Sequence, residues 1–145
     1  TLTGAPILKT RTSFVLVTKD NEQKTISQSG KITSKKINTN NEYALNIVKQ
    51  NIISLSDNHL RVNSKHIELP FGIYTSPRVY YANKKGYVTT TETQEKKTYL
   101  YNFDGALLEG FPVYGATSAE VIASNKNVFV LTKEDDTKCI VYQVK

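Results

Sequence analysis

His59 and His66 are the only histidines in the chain, and they are its first candidates for proton transfer or metal ligation. Asp57-x-His59 and His66-x-Glu68 each set a carboxylate and an imidazole two residues apart. In an extended strand that spacing puts both side chains on one face. A hairpin turning at Asn63-Ser64 would bring Asp57, His59, His66 and Glu68 toward one another. A metal needs three or four such ligands converging, with hydrogen-bonded support behind them. The competing reading is a set of solvated polar positions on an outer hairpin, and on that reading no metal is expected.

Cys139 is the single cysteine, so neither an internal disulfide nor a thiolate cage can form. A nucleophilic thiol needs a neighbouring base and an electropositive setting. Both histidines are remote in sequence, and Cys139-Ile140-Val141-Tyr142 reads as a strand with a small buried apolar residue at its start. The carboxylates Asp20, Glu22 and Glu134-Asp135-Asp136 fall on hairpin tips, where solvated turn residues are the rule. Nuclease or glycosidase chemistry needs carboxylates converging in a cleft. Asn102-Phe103-Asp104-Gly105 holds only a fragment of a calcium loop. No nucleophile elbow, P-loop or dinucleotide fingerprint occurs. No catalytic residue and no cofactor is expected.

Tyrosine is the one excess. Seven of the nine lie between residues 74 and 114. Each offers flat apolar area with a polar tip, suited to peptide or glycan contact as well as to core packing. Tyr80, Tyr81, Tyr101 and Tyr114 are the candidate binding residues. Adjacent Tyr80 and Tyr81 must face opposite ways on a strand, so one of them faces a packed interface.

The charge is +6 in 145 residues, with 19 basic against 13 acidic side chains. Only Arg11, Arg61 and Arg78 are arginine, and specific phosphate or base recognition favours the arginine fork. A basic nucleic-acid-binding β domain is therefore the lesser reading. No run of about 18 apolar residues is present, which excludes a membrane-spanning helix within these residues. No charged segment followed by an apolar run marks a signal peptide. Methionine is absent even at position 1, so the segment is read as a piece of a longer product.

The elements that must hold these side chains are short strands. Apolar and β-branched runs occur at Phe14–Thr18, Ile52–Leu55, Arg78–Ala82, Tyr87–Thr91, Thr98–Phe103, Glu120–Ala123, Val128–Thr132 and Cys139–Val144. Turn clusters such as Lys19-Asp20-Asn21, Asn83-Lys84-Lys85-Gly86 and Ser124-Asn125-Lys126-Asn127 separate them. Asn41–Lys49 is ambiguous: Tyr43, Ala44, Ile47 and Val48 also fit one face of a short helix.

The runs recur. Second strands starting at Phe14, Ile52, Tyr87 and Val128 give units 1–40, 41–74, 75–115 and 116–145. A four-stranded antiparallel meander about every 40 residues is the size of one β-propeller blade. The expected class is all-β, part of a propeller; a β-sandwich or barrel of generic hairpins is the alternative. Tyr99-Leu100-Tyr101-Asn102-Phe103-Asp104-Gly105-Ala106-Leu107-Leu108, followed by Gly110-Phe111-Pro112-Val113, resembles the third-to-fourth strand corner of quinoprotein-like bacterial propeller repeats. Asp-Gly there suits a tight turn requiring positive φ. The resemblance implies a fold and no functional residue, and the absence of tryptophan departs from the quinone-binding enzymes. Propellers of this type are often exported, which implies a periplasmic or extracellular location.

The last unit ends after its third strand, so the chain is expected to be the C-terminal part of a larger propeller. Its exposed faces should be covered by the remainder of its own chain or by a second copy. The function expected is a non-enzymatic binding or scaffolding module. The alternative is part of an enzyme whose active residues lie outside this segment.

Overall fold

The computed structural model describes residues 8–9, 12–18, 22–36, 43–48 and 51–145. Fifteen strands and no helix occur among them. The first sheet is β1 (Leu8–Lys9), β2 (Ser13–Val17), β3 (Glu22–Ser27) and β4 (Ile32–Lys36). The second is β5 (Tyr43–Val48), β6 (Asn51–Ser56), β7 (His59–Val62) and β8 (Lys65–Glu68). The third is β9 (Arg78–Ala82), β10 (Lys85–Glu92), β11 (Lys97–Asn102) and β12 (Val113–Tyr114). The fourth holds three strands, β13 (Glu120–Ser124), β14 (Asn127–Lys133) and β15 (Cys139–Val144). Within every sheet each strand pairs antiparallel with its neighbour in the chain. The turn at Lys19-Asp20-Asn21 lies outside the described residues.

The helical option over Asn41–Lys49 is corrected: Tyr43–Val48 is strand β5, paired with β6 from Tyr43↔Ser56 to Val48↔Asn51. A two-turn helix would be marginal alone. A neighbouring strand that satisfies the backbone outweighs the helical spacing of four apolar residues.

Second strands begin at Ser13, Asn51, Lys85 and Asn127, at spacings of 38, 34 and 42 residues. Aligning the sequence on first apolar residues gives 38, 35 and 41, a slip of one residue in the third unit. A one-residue slip moves every side chain to the other face. The structure matches Tyr87 to Ile53 and Phe129, and Gly86 to Ile52 and Val128. Gly86 hides the true start of its strand because the Phe103 ring fills the space a side chain would take; a Cβ there would meet that ring at 2.2 Å.

The third sheet shows why the period of two matters. On one face, Val88, Tyr99 and Tyr101 pack against Ile53, Leu55, Leu60 and Val62 of the second sheet. On the other, Ala82, Tyr87 and Leu100 pack against Val121, Val128 and Val130 of the fourth. Val88, Leu100 and Val130 are fully buried. Each such burial contributes roughly 1.5–3 kcal/mol. The main approaches between sheets are β1 to β5, β5 to β9 and β9 to β13. The sheets therefore converge on their first strands and splay outward.

This meander creates two unlike ends. The turn end carries the first-to-second and third-to-fourth strand turns. The connector end carries the second-to-third strand hairpins and the crossings between sheets. At the connector end of each second strand stands a hydroxyl: Thr18, Ser56, Thr90 and Thr132, buried to 7, 7, 1 and 3% exposure. Thr90 Oγ1 donates to Thr75 O at 2.8 Å, and Thr132 Oγ1 to Thr117 O at 3.4 Å. Thr75 and Thr117 hold equivalent places in successive crossings, so the repeat includes a latch between strand and connector. A buried hydroxyl needs such a partner.

Candidate functional site

Arg78 opens β9 and Glu120 opens β13, equivalent positions in the third and fourth units. Because first strands converge, the two side chains meet as an ion pair. Tyr80 reaches the same place: its Oη lies 2.8 Å from Glu120 Oε2 and 3.0 Å from Ala119 O, so one hydroxyl proton serves two acceptors. Burial raises the Tyr80 pKa; the hydrogen bond from Arg78 opposes this, and Glu120 adds to it. Tyr80 is therefore a neutral donor, not a base. The Tyr80 hydroxyl and Glu120 also raise the Arg78 pKa, keeping the guanidinium charged. About half of each charged side chain stays accessible. This trio can recognise a polar or charged ligand group.

The sequence-predicted tyrosines separate. Tyr80 packs toward the fourth sheet and Tyr81 toward the second, as their adjacency requires. Tyr81 meets the Phe103 ring edge-on at 5.2 Å, and its hydroxyl accepts from Asn51 Nδ2 at 3.1 Å. Tyr101 stacks on Tyr99 in the core and is 5% exposed, so it packs between sheets. Tyr114 is exposed at the connector end, its hydroxyl 3.4 Å from Glu134 O.

The β7–β8 hairpin forms through Asn63-Ser64 and puts His59 opposite Glu68 and His66 opposite Arg61. Asp57 stays in the preceding turn at φ +51°. Among the described residues no three of the potential ligands group closely enough to hold a metal. The Arg61 cation across from His66 would repel one.

Cys139 is corrected from buried to exposed. It begins an edge strand whose side chains alternate exposed and half-buried, and it falls on the exposed face with Val141 and Gln143.

Sequence reasoning missed Glu92. This carboxylate is 3% exposed and accepts the backbone N–H groups of Ile73 (2.9 Å), Gln94 (3.2 Å) and Glu95. Burial pushes its pKa up, but the three donors outweigh that and hold it below the ordinary glutamate value. Gly72 passes so close that a Cβ would meet Glu92 Cγ at 2.6 Å. Glu92 thus anchors the connector that carries Phe71, which is 99% exposed. Phe71 and Tyr114 present aromatic surface at one end of the molecule. Arg78 and Glu120 were also missed; opposite charges at matching repeat positions were the available signal.

No protein-family model and no curated protein matches the chain. Among solved structures it is similar to that of streptogramin B lyase, at TM-score 0.53 and 16% identity. The match covers 97% of this chain and 56% of that one, so the chain spans little more than half of that protein. The neighbour is a β-propeller, and the likeness shows that fold for the present chain.

Proposed function

We propose that the chain is an arc of a larger β-propeller and serves as a non-enzymatic binding or scaffolding module. The observation that carries this reading is the state of the two outermost sheet faces. The face of the fourth sheet that corresponds to the covered faces of the second and third carries Ile122 and Val141 at 50 and 58% exposure. The face of the first sheet turned away from the second carries Phe14 and Ile32 at 43 and 60%. Elsewhere in the repeat the Val141 position is held by Leu60 and Leu100, sealed by the following sheet, and the Phe14 position by Val128, sealed by the preceding one. Apolar burial is worth about 25 cal/mol per Å², so both faces favour coverage by further sheets. Those sheets come from the remainder of the same polypeptide or from a second copy.

On this scaffold Arg78, Tyr80 and Glu120 form a polar contact point, with Phe71 and Tyr114 at the connector end as aromatic contacts. A peptide or glycan suits such a mixture of flat apolar area and fixed polar groups. A second reading keeps an enzyme in view, because the similar solved structure is that of a lyase. Its acid and base would then come from sheets outside this segment.

Light scattering of the 145-residue chain tests the arc. Self-association that Ile122→Asp and Val141→Asp together abolish is expected. A monodisperse, soluble monomer that does not take up an apolar dye would overturn the reading.

A further inference from the structure

We propose that the turn end is a docking surface for an anionic lipid bilayer. The two ends differ in how many acids stand among their cations. At the connector end Arg78, Lys97 and Lys138 are paired with Glu120, Glu95 and Glu134, and the exposed Lys35, Lys36, Lys96 and Lys133 share that end with Asp57, Glu68, Asp135 and Asp136. At the turn end Lys31, Lys65, Lys84, Lys85 and Lys126 are all exposed and make no salt bridge among the described residues. The acids there are Asp104 and Glu109, and Glu109 faces Lys145 at 4.0 Å. Among the described residues, lysines therefore outnumber acids at the turn end, whereas acids offset the cations at the connector end.

The tips of the second, third and fourth sheets belong to one continuous surface. The Asn83 side chain reaches Asn127 O at 3.5 Å, joining the first turns of the third and fourth sheets. A Cβ on Gly105 would meet Lys65 Cβ at 2.8 Å, so the outer turns of the second and third sheets abut. Lys84 occupies a tip at φ +65°, where glycine or asparagine is the usual choice. Leu107 and Tyr81, both about 40% exposed, stand among these lysines.

Cations on convex tips from separate hairpins all reach a partner at once only if that partner is broad and flat. Lysines near an anionic leaflet add their attractions, and interspersed apolar or tyrosine side chains enter the interface. Nucleic acid fits less well. Among the described residues the one arginine near this end is Arg61, its Nε donating to Asn63 O at 2.6 Å, and the other cations there are lysines, which lack the arginine fork. An acidic peptide would need a groove, and these charges stand on projections.

Co-sedimentation with phosphatidylglycerol vesicles and with phosphatidylcholine vesicles tests the proposal. Binding to the first, weakened by salt, and none to the second is expected. Lys85→Glu with Lys126→Glu should reduce it by at least about tenfold. Lys133→Glu with Lys138→Glu, an equal charge change at the connector end, should leave it within about twofold. Circular dichroism confirms that both double variants fold. Equal binding to both vesicles, equal losses in both double variants, or tighter binding to an oligonucleotide or polyglutamate than to the vesicles would overturn it. Scattering by the chain alone is unaffected by these outcomes, so the arc reading stands or falls separately.

Discussion

The Tyr80 hydroxyl stands 2.8 Å from Glu120 Oε2, joining the first strand of the third sheet to the first strand of the fourth. Forty residues separate the two side chains, and one repeat step brings them together. Tyr80→Phe keeps the ring and removes the donor. It should cost about 1 kcal/mol, the net worth of such a bond. Arg78→Ala should cost less, because its pair is half-exposed and screened. Urea denaturation of the two single variants and the double variant checks this; additive losses would mean that the trio does not act as a unit.

Acid should loosen the Glu92 anchor. Its folded-state pKa lies below the ordinary value, so the fold favours the carboxylate. That stability is complete above the ordinary glutamate value of about 4.3 and is lost as pH falls through the lower folded value. Glu92→Gln should be about 2 kcal/mol less stable at neutral pH and should show a flatter acid limb. Thermal melts from neutral to acid pH measure both.

Alkali should act through Tyr101. Burial and then the neighbouring Tyr99 push its pKa up to about 12. A raised value means stability that is full below the ordinary tyrosine pKa of about 10 and declines as pH rises toward about 12. Ultraviolet titration should find tyrosines that ionise only as the chain unfolds. A single transition near 10 for all nine would contradict the packing of Tyr101.

Gly115 sits where the third sheet hands over to the fourth. A Cβ there would meet Thr98 Oγ1 at 2.3 Å and Thr132 Oγ1 at 2.5 Å. Both threonines are buried. Gly115→Ala should therefore destabilise by about 1–3 kcal/mol, as overpacking does. Gly110→Ala is the counterpart, since a Cβ there meets nothing within 4 Å. Any loss at Gly110 reflects its φ of +84° alone. Chemical denaturation of the two variants separates crowding from backbone strain.

Strand positions, antiparallel order and the recurrence of hairpins were legible in the residues themselves. These depend on local alternation and on turn types such as Asn83-Lys84, which neighbouring residues set. The opposite facing of Tyr80 and Tyr81 followed from the same alternation. Other features lay beyond local pattern. Gly86 concealed the register of its strand, because the Phe103 ring that replaces its side chain comes from another strand. Tyr43–Val48 is a strand because β6 lies beside it. Cys139 looks apolar in sequence, yet only the stacking of sheets decides which face of β15 is covered. Arg78 with Glu120, and Glu92 with the Ile73 amide, meet through the convergence of first strands and the path of a connector. Local chemistry determines what each strand is. The angle and register at which sheets pack determine which side chains meet, and that depends on contacts between residues distant in the chain.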